Sequence, residues 1–414
     1  MHEVIFMKKT LWSFDFTIIT IGTIISAIGG VAMSFALSLV VFDETASTML
    51  TGLFTACSFL PSVLIPLLAA PYVDTHNRKK IIVYLDYFSG LCYFAFFLFI
   101  QRYAFQYIAY MCFSLLVNSI SAIYSLAYNS LYPDLIPKGF AQKGYSISSL
   151  IYPSITAIFT PIASILYTQF GIAYIVLGEG ILLWIAASLE HCIRFQEKRE
   201  QVQVFSFMQY KENILEGLQY IKKEKGIRSI YEYMAVTNGA AEGLNLMSMA
   251  HFQSSDILTT TMYAGLTTAE MLGRICGACF HYVVKIPNHL RYRIAVMVYG
   301  GYELLDMVLL FIAYPLMLVN RFIAGFLGIN SLNIREASTQ NYIPAAMRAR
   351  VSAFFNVIVT MFLIGGKLVA GALGEWLSYP YIAAGFALLS FCSILMLVVR
   401  NKKYIAPIYN QELS

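Results

Sequence analysis

Charged residues are scarce in this sequence. Only 12% of its 414 residues are Asp, Glu, Lys or Arg, and 58% are hydrophobic, whereas charged residues make up about 25% of a typical soluble domain. This scarcity argues against a water-soluble globular protein and indicates a membrane protein. The small net charge of +5 gives no reason to expect a nucleic-acid partner.

Motifs of nucleotide binding, metal binding and catalysis are missing as well. The segment GGKL at 365–368 lacks the earlier glycine and the hydroxyl residue of a phosphate-binding loop. Cys276 and Cys279 form a CxxC pair without a second Cys or His pair at ligand spacing, and helix packing is the simpler interpretation. We therefore expect no cofactor, no metal site, no ATP-driven step and no enzymatic activity.

Long apolar stretches recur from one end of the sequence to the other. A helix needs about 18 or more apolar residues to cross a hydrocarbon core of roughly 30 Å, and twelve stretches, here called spans 1 to 12, reach this length. Their approximate bounds are residues 14–41, 49–73, 81–100, 103–126, 146–167, 172–189, 229–250, 258–284, 294–313, 316–334, 351–373 and 381–399. The sequence therefore predicts an all-α membrane protein with twelve transmembrane helices.

A long polar interval, residues 191–228, divides the chain near its middle. Apolar residues at helical spacing within it predict an amphipathic helix on the inner leaflet. The flanking segments echo each other, since Ile136-Pro137 after span 4 matches Ile343-Pro344 after span 10. We expect one six-helix bundle in residues 1–190 and a second, with a cytoplasmic tail, in residues 229–414, as in two-bundle transporters with a parallel repeat.

The positive charges fall mostly in alternate loops. Of the 28 Lys and Arg residues, 23 lie in loops and terminal segments that a single orientation places on the same side of the membrane. Lys and Arg in short loops stay in the cytoplasm. This pattern predicts a multi-pass protein of the plasma membrane with both termini in the cytoplasm.

The segment APYVDTHNRKK at 70–80, between spans 2 and 3, resembles the signature of this loop in the major facilitator superfamily. Asp74, Arg78, Lys79 and Lys80 match the signature, whereas Asn77 stands in place of its second glycine. The segments LYPDLIP at 131–137 and SAIGGVAMSFALSL at 26–39 resemble the branch that contains macrolide and siderophore exporters. The resemblance implies the two-bundle fold of this superfamily over nearly the whole chain.

The resemblance implies that this loop latches the two bundles together on the cytoplasmic side when the carrier faces outward. Asp74 would dock at the start of span 11, near Val351, where the positive end of a helix dipole favours a carboxylate. Arg78 would pair with Asp134 at the end of span 4. The alternative is that the three cations of the loop only anchor it to anionic lipid.

Two signatures of proton-coupled exporters in this superfamily are eroded. The Arg that such proteins often carry in span 4 is absent from LVNS at 116–119, and the glycines of the span 5 antiporter signature are absent from TPIAS at 160–164. Pro161 remains and is expected to bend span 5. Both departures weaken the inference of proton antiport and of export.

Ionisable residues within the spans of the second half are candidates for substrate binding or proton coupling, because such residues are costly in the bilayer and normally face a cavity. Glu242, the lone acid in the core of span 7, is a candidate for binding a cationic substrate. Glu270 and Arg274 are four residues apart, so they are either a neutralised structural pair or part of the coupling site. The full set is Glu242, Glu270, Arg274, Glu303, Asp306, Arg321 and Lys367.

Glu303 and Asp306 in span 9 have no cation at helical spacing. Two nearby carboxylates favour the binding of a proton by one of them. The alternative is that Arg321 or Lys367 neutralises this pair.

Tyrosines near spans 4 and 5 could line a cavity that accepts a bulky amphipathic ligand. They are Tyr124, Tyr128, Tyr145 and Tyr152. For any single ring, a position at the membrane interface or against lipid is the alternative.

These features together predict a secondary transporter that works by alternating access. The leading hypothesis is proton-coupled efflux of an amphipathic small molecule, either drug-like or macrolide-like, or siderophore-like. Uptake of a nutrient or metabolite and a transport-inactive sensor or accessory protein are the alternatives. The expected partners are a small-molecule substrate, protons and the lipid bilayer, and we expect the chain to act as a monomer.

Overall fold

The computed structural model describes residues 10–137, 139–195, 207–283 and 286–411, and the side chain of Asp74 is among a few within helices that it leaves out. Within these ranges the chain is helical throughout and contains no β-strand. This confirms the predicted all-α class.

Fourteen α-helices are present in the described ranges, of which α7 and α14 lie outside the predicted spans. Their bounds are α1 Phe14–Thr45, α2 Thr48–Thr75, α3 Arg78–Arg102, α4 Tyr107–Leu135, α5 Ala141–Phe170, α6 Ile172–His191, α7 Phe207–Lys223, α8 Lys225–Gln253, α9 Thr260–Val283, α10 Arg291–Val308, α11 Tyr314–Tyr342, α12 Ala345–Gly374, α13 Tyr379–Ser393 and α14 Lys402–Asn410. A π-helical turn, Ile394–Val399, extends α13.

Ten helices in the described ranges are long and apolar enough to cross a membrane, namely α1–α6 and α10–α13. The predicted spans 229–250 and 258–284 fall on α8 and α9, which are not among these ten. Both carry charge near their middle, with Glu242 on α8 and Glu270 and Arg274 on α9. A multi-pass membrane fold is confirmed, and the count of twelve spans is met approximately.

Polar residues placed just before the apolar runs begin several of these helices. The Ser13 and Ser47 hydroxyls accept hydrogen bonds from the backbone N–H groups of Phe16 and Leu50, at the starts of α1 and α2. Asn77 caps α3 in the same way, since its side-chain oxygen accepts from Lys80 N at 2.9 Å. Asn77 has an extended backbone, so this position uses a side-chain cap in place of a glycine.

The helices of each half of the chain pack mainly on one another. In the N-terminal half, α1 packs on α5 and α6, and α3 packs on α4 and α6. In the C-terminal half, α8 packs on α12 and α13, and α9 and α10 pack on α11. Across the halves, α2 packs on α12 and α5 packs on α9.

Short turns between successive helices define two sides of the molecule. One side carries the α2–α3 turn at Asn77, the end of α4 and the start of α12 near Arg350, and is here called the basic side. The opposite side carries the α1–α2 turn at Ser47 and the end of α12, and is here called the Glu375 side. The amphipathic helix predicted in the central interval is present as α7, which packs on α12 and touches α2.

Candidate functional site

Glu375 joins the two halves of the chain on the side named after it. It follows α12 and accepts hydrogen bonds from Met49 N at 2.8 Å, Ser47 Oγ at 2.6 Å and Thr48 Oγ1 at 3.3 Å. These donors belong to the first turn of α2 and its cap, where unpaired N–H groups and the helix dipole favour an anion. The backbone N–H of Met49 and the Ser47 hydroxyl lower the pKa of the Glu375 carboxyl, so Glu375 is an ionised cap for a helix of the other half.

The backbones of α2 and α12 approach closely beneath this cap. Thr48 Oγ1 donates to Gly371 O at 2.8 Å. A Cβ atom at Gly371 would lie 2.7 Å from Thr48 O, and real Cβ atoms essentially never come this close. Only glycine at position 371 therefore permits this approach.

Further contacts complete the closure on the Glu375 side. Gln253 of α8 donates to Asp43 Oδ1 of α1 at 2.7 Å, and Thr268 of α9 donates to Ala157 O of α5 at 3.0 Å. Leu39 and Phe42 of α1 are buried in the same apolar cluster as Met247 and Phe252 of α8. Among the described residues, the hydrogen bonds between the halves reach from the Glu375 side to about the middle of α5.

A cavity of about 760 Å³ lies below this closure. Side chains of α1–α6 form most of its wall, and Lys367 of α12 contributes from the other half. The wall combines serine hydroxyls with aromatic rings, and its volume falls within the range of small-molecule sites, about 300–1,000 Å³. Tyr124, Tyr128 and Tyr152 of the predicted tyrosines line it, whereas Tyr145 is half exposed and packs edge-on against Tyr132.

Glu242, predicted as a lone acid, has an ion-pair partner in the structure. Lys367 Nζ of α12 lies 2.7 Å from Glu242 Oε2 of α8 and 5.4 Å from the centre of the Phe59 ring of α2. The sequence could not show this pair, because the two residues are distant in the chain. Lys367 lines the cavity where the two halves meet, and Glu242 is not among the described wall residues.

Four of the other predicted charges form one connected network in the C-terminal half. Arg321 of α11 forms an ion pair with Asp306 of α10 and lies 3.9 Å from Glu270 of α9. Arg274 in turn lies 2.8 Å from Glu270. Two acids and two bases from three helices thus neutralise one another, which is the arrangement expected of a structural pair network.

Glu303 does not join this network. Its Oε1 atom accepts hydrogen bonds from Thr237 at 3.0 Å and from Ser390 at 2.6 Å. It is buried, and neither Arg321 nor Lys367 is its ion-pair partner in the described part of the chain. Of the two acids predicted in span 9, Asp306 is therefore the one that Arg321 neutralises.

The predicted latch residues cluster at the α2–α3 turn on the basic side. Arg78 Nη1 lies 3.6 Å from Asp134 Oδ2 and donates to Ser130 O at 3.0 Å. Lys79 donates to Ile193 O, and Lys80 is exposed. Asp74 lies in the last turn of α2, but its side chain is outside the described ones.

The expected docking position for Asp74, the start of α12, is covered by α7 in this structure. Val351 is fully buried in an apolar cluster that includes Ile221 of α7. Arg350 forms an ion pair with Glu216 of α7.

In the N-terminal half, α5 continues as one helix through Pro153 and Pro161.

Three buried acids of the N-terminal half are not among the site residues predicted from the sequence. Asp86 lies within span 3 and Glu190 lies one residue beyond the end of span 6, whereas the charged residues predicted as candidates within spans all lie in the second half of the chain. Asp86 and Glu190 are both buried, as is Glu179. The wall of the cavity includes Asp86 and Glu179. Gly22 and Gly29 lie seven residues apart in span 1 and could have indicated the acids of α6. Gly22 faces Glu190 and Gly29 faces Glu179.

Comparison with known proteins gives a consistent picture. The family model described as Major Facilitator Superfamily matches residues 19–302. Macrolide efflux protein A from Streptococcus pyogenes is 22% identical over 290 residues, which are 66% of this chain and 68% of that protein.

Solved structures of transporters share the fold. The crystal structure of a bacterial homologue of the iron transporter ferroportin, in an inward-facing state, has a TM-score of 0.71 at 14% identity and covers 96% of this chain and 100% of that chain. The nucleoside transporter NupG has a TM-score of 0.69 at 14% identity and covers 92% of this chain and 99% of that chain. At these identities the likeness concerns the fold alone.

Proposed function

This chain belongs to the major facilitator superfamily and is a membrane transporter rather than an enzyme, and from that premise we propose that it exports amphipathic small molecules in exchange for protons. The observation that carries this proposal is the cavity of about 760 Å³ below the closed Glu375 side. Alternating access requires a binding cavity that is sealed on one side of the membrane at a time.

The orientation follows from the charge pattern. We propose that the basic side faces the cytoplasm, that both termini lie there, and that the chain resides in the plasma membrane, because Lys and Arg concentrate in the loops of that side. The closed Glu375 side is then external, and the structure is an inward-facing state. Residues 1–190 and 229–414 would be the two bundles that move relative to each other, with 191–228 linking them.

Export of an amphipathic compound is supported by the wall chemistry and by one relative. The wall pairs aromatic rings with serine hydroxyls, which suits a ligand with both apolar and polar parts. The relative is named a macrolide efflux protein. Uptake is the second candidate, since span 4 lacks the Arg typical of proton-coupled exporters.

We expect cells of an efflux-deficient bacterial host that express this chain to accumulate less of at least one fluorescent amphipathic compound than cells with an empty vector. A protonophore should restore accumulation, because the proposed driving force is the proton gradient. The measurement is cell-associated fluorescence at a matched amount of membrane-inserted protein. Higher accumulation would favour uptake, and no difference for any compound would leave a sensor as the better account.

The α2–α3 turn is proposed as the cytoplasmic latch of the outward-facing state. Asp74→Asn is expected to slow initial efflux by roughly tenfold, because docking at a helix N-terminus requires the negative charge. Membrane insertion should be unchanged, which is checked by the amount of protein in the membrane fraction. Exposed Asp256, in the α8–α9 turn, supplies the control variant Asp256→Asn.

The outcome separates a latch from a lipid anchor. The double variant Lys79→Gln/Lys80→Gln should reduce efflux less than Asp74→Asn if the latch account is right. Normal efflux by Asp74→Asn would remove Asp74 from the mechanism.

A further inference from the structure

Three buried acids of the N-terminal half have no cation partner among the described residues. Asp86 lies on α3, Glu179 and Glu190 lie on α6, and each is at most 5% exposed. Among the described residues, none of the three takes part in an ion pair. Acids at such positions are costly in a membrane protein, whereas Asp306 of the other half is neutralised by its ion pair with Arg321.

Two of these acids are unsatisfied at the cavity. Asp86 and Glu179 line its wall. Asp86 Oδ2 and Glu179 Oε2 have no hydrogen-bond partner in the described part of the chain. Glu190 Oε2 lacks a partner there as well, but Glu190 is not in the wall, and Tyr124 donates to its Oε1 at 2.8 Å. A buried carboxylate that lacks partners favours the arrival of a positive charge.

The rest of the wall does not supply that charge. Among the described lining residues, the only Lys or Arg is Lys367. Its Nζ atom is 2.7 Å from Glu242, so it is already neutralised. With Asp86 and Glu179 ionised, the wall therefore carries a net negative charge.

Aromatic rings lie in the same wall. Tyr124 and Tyr128 stack with their ring centres 5.9 Å apart, and both line the cavity together with Tyr152. Ring faces attract an organic cation as well as its apolar substituents. They give no such preference to a small inorganic ion, which would need several oxygen ligands.

We propose that Asp86 and Glu179 are the binding site for the positively charged group of an amphipathic organic cation, such as a protonated amine or a quaternary onium compound, whose apolar part contacts the tyrosines. This assignment rests on the proposed transport function, since it names the class of substrate that the cavity takes. It places charge recognition in the N-terminal half, in contrast to the position predicted from the sequence at Glu242.

The backbone of α1 is built to accommodate one of these carboxylates. A Cβ atom at Gly29 would overlap Glu179 Oε2. Glycine at this position lets the Glu179 side chain lie across α1 at the wall of the cavity. A larger residue would push the carboxylate away from its position.

Binding of tetraphenylphosphonium to the purified full-length protein in detergent tests the proposal. We expect the native protein to bind this cation, and Asp86→Asn and Glu179→Gln each to raise its dissociation constant by roughly tenfold or more. Triphenylphosphine oxide, a neutral compound with similar rings, should bind equally to all three proteins. Asp256→Asn removes one exposed acid outside the wall and should bind both probes as the native protein does.

Several outcomes would overturn the proposal. Unchanged cation binding by both variants would do so, and so would an equal loss of the cation and the neutral probe, which indicates a collapsed cavity. If the variants bind the cation normally but lose protonophore-sensitive transport, the acids hold protons only. Asp86→Glu should retain cation binding, and Glu179→Gln carries the same test if Asp86→Asn does not fold.

Failure of this inference can be distinguished from failure of the proposed function. Binding is measured without flux, so a protein that binds the cation through Asp86 and exports nothing would keep the site and reject transport. A protein that exports neutral amphipathic compounds and binds no cation would keep transport and reject the site.

Discussion

Replacing Arg321 with Met is expected to lower the free energy of unfolding by about 3–5 kcal/mol. Arg321 and Asp306 are 5% and 4% exposed, and Arg321 also donates to Asn320 Oδ1 at 3.0 Å. The variant would leave the Asp306 carboxylate buried without its partner, and Glu270 would lose its second cation. The measurement is equilibrium unfolding of the purified protein in mixed micelles, followed by circular dichroism.

A double variant and a surface control test the reason for this loss. Asp306→Asn/Arg321→Met should recover most of the stability, since replacement of both members of a buried pair is often nearly neutral. Arg102→Met, at the exposed end of α3, should stay within about 0.5 kcal/mol of the native protein. An Arg321→Met protein as stable as the native one would contradict the assignment of a buried ion pair.

Replacing both members of an ion pair also separates acids that stabilise the structure from acids that couple transport to protons. Efflux that survives in the Asp306→Asn/Arg321→Met variant would assign this pair to structure.

Glu242→Gln/Lys367→Met is expected to lose efflux, because this pair lies where the two halves meet, and normal efflux would remove it from the proposed coupling. Glu303→Gln should abolish only proton-driven efflux if Glu303 is the proton site, and retained protonophore sensitivity would reject that role.

Replacing Gly371 with Ala is expected to prevent closure of the Glu375 side and to reduce efflux by roughly tenfold or more. The added Cβ would lie 2.7 Å from Thr48 O and 3.2 Å from Met49 Cα, and these are backbone atoms of α2 that cannot move aside without shifting the helix. A state open on the Glu375 side would lack this clash and should therefore dominate. Spin labels at positions 108 and 257, both exposed on the Glu375 side of opposite halves, should report a longer distance than in the native protein.

A second glycine of α12 provides the control. A Cβ atom at Gly365 would meet no atom within 4 Å, so Gly365→Ala should leave both efflux and the label distance unchanged. The labels require a background in which the native cysteines are replaced. A native-like distance in the Gly371→Ala protein would show that the close approach of α2 and α12 does not govern closure.

The Glu375 cap is expected to make the same closure sensitive, in the acid range, to the pH on the Glu375 side. The backbone N–H of Met49 and the Ser47 hydroxyl lower the pKa of Glu375 in this closed state, and a state open on this side would lack these hydrogen bonds. Closure is therefore favoured at pH values above the usual Glu pKa of about 4.3, and this advantage is lost as the pH falls through the lowered pKa. The label distance in Glu375→Gln should not respond to pH in this range.

Many elements of the fold could be predicted from residue types alone. A helix of about 18 or more apolar residues is more stable in the bilayer than in water. Most spans could therefore be predicted with their approximate bounds. Ser47 and Asn77, which precede two of these runs, cap the starts of α2 and α3, a signal of residue type that the sequence predictions did not use. α14 was not predicted, because its nine residues become stable only when Ile405, Ile408 and Tyr409 are buried against the C-terminal helices.

The candidate site was predictable only in part. Local spacing identified the Glu270 and Arg274 pair, since residues four apart share a helix face. The partners of Glu242 and Asp306 lie on other helices, and no pattern in one sequence specifies which helices become neighbours. Glu190 was not predicted because it lies one residue beyond the apolar run of span 6, although it is buried and Tyr124 donates to its Oε1.

The sequence by itself determined that this chain crosses a membrane as helices and which of its loops carry the positive charge, because both depend on the preference of each residue for water or hydrocarbon. Only the tertiary structure decided which buried charges are neutralised and which remain available, because that depends on distances between helices. Asp306 pairs with Arg321 and Glu242 pairs with Lys367, whereas Asp86 and Glu179 lie at a cavity wall and form no ion pair with any described residue.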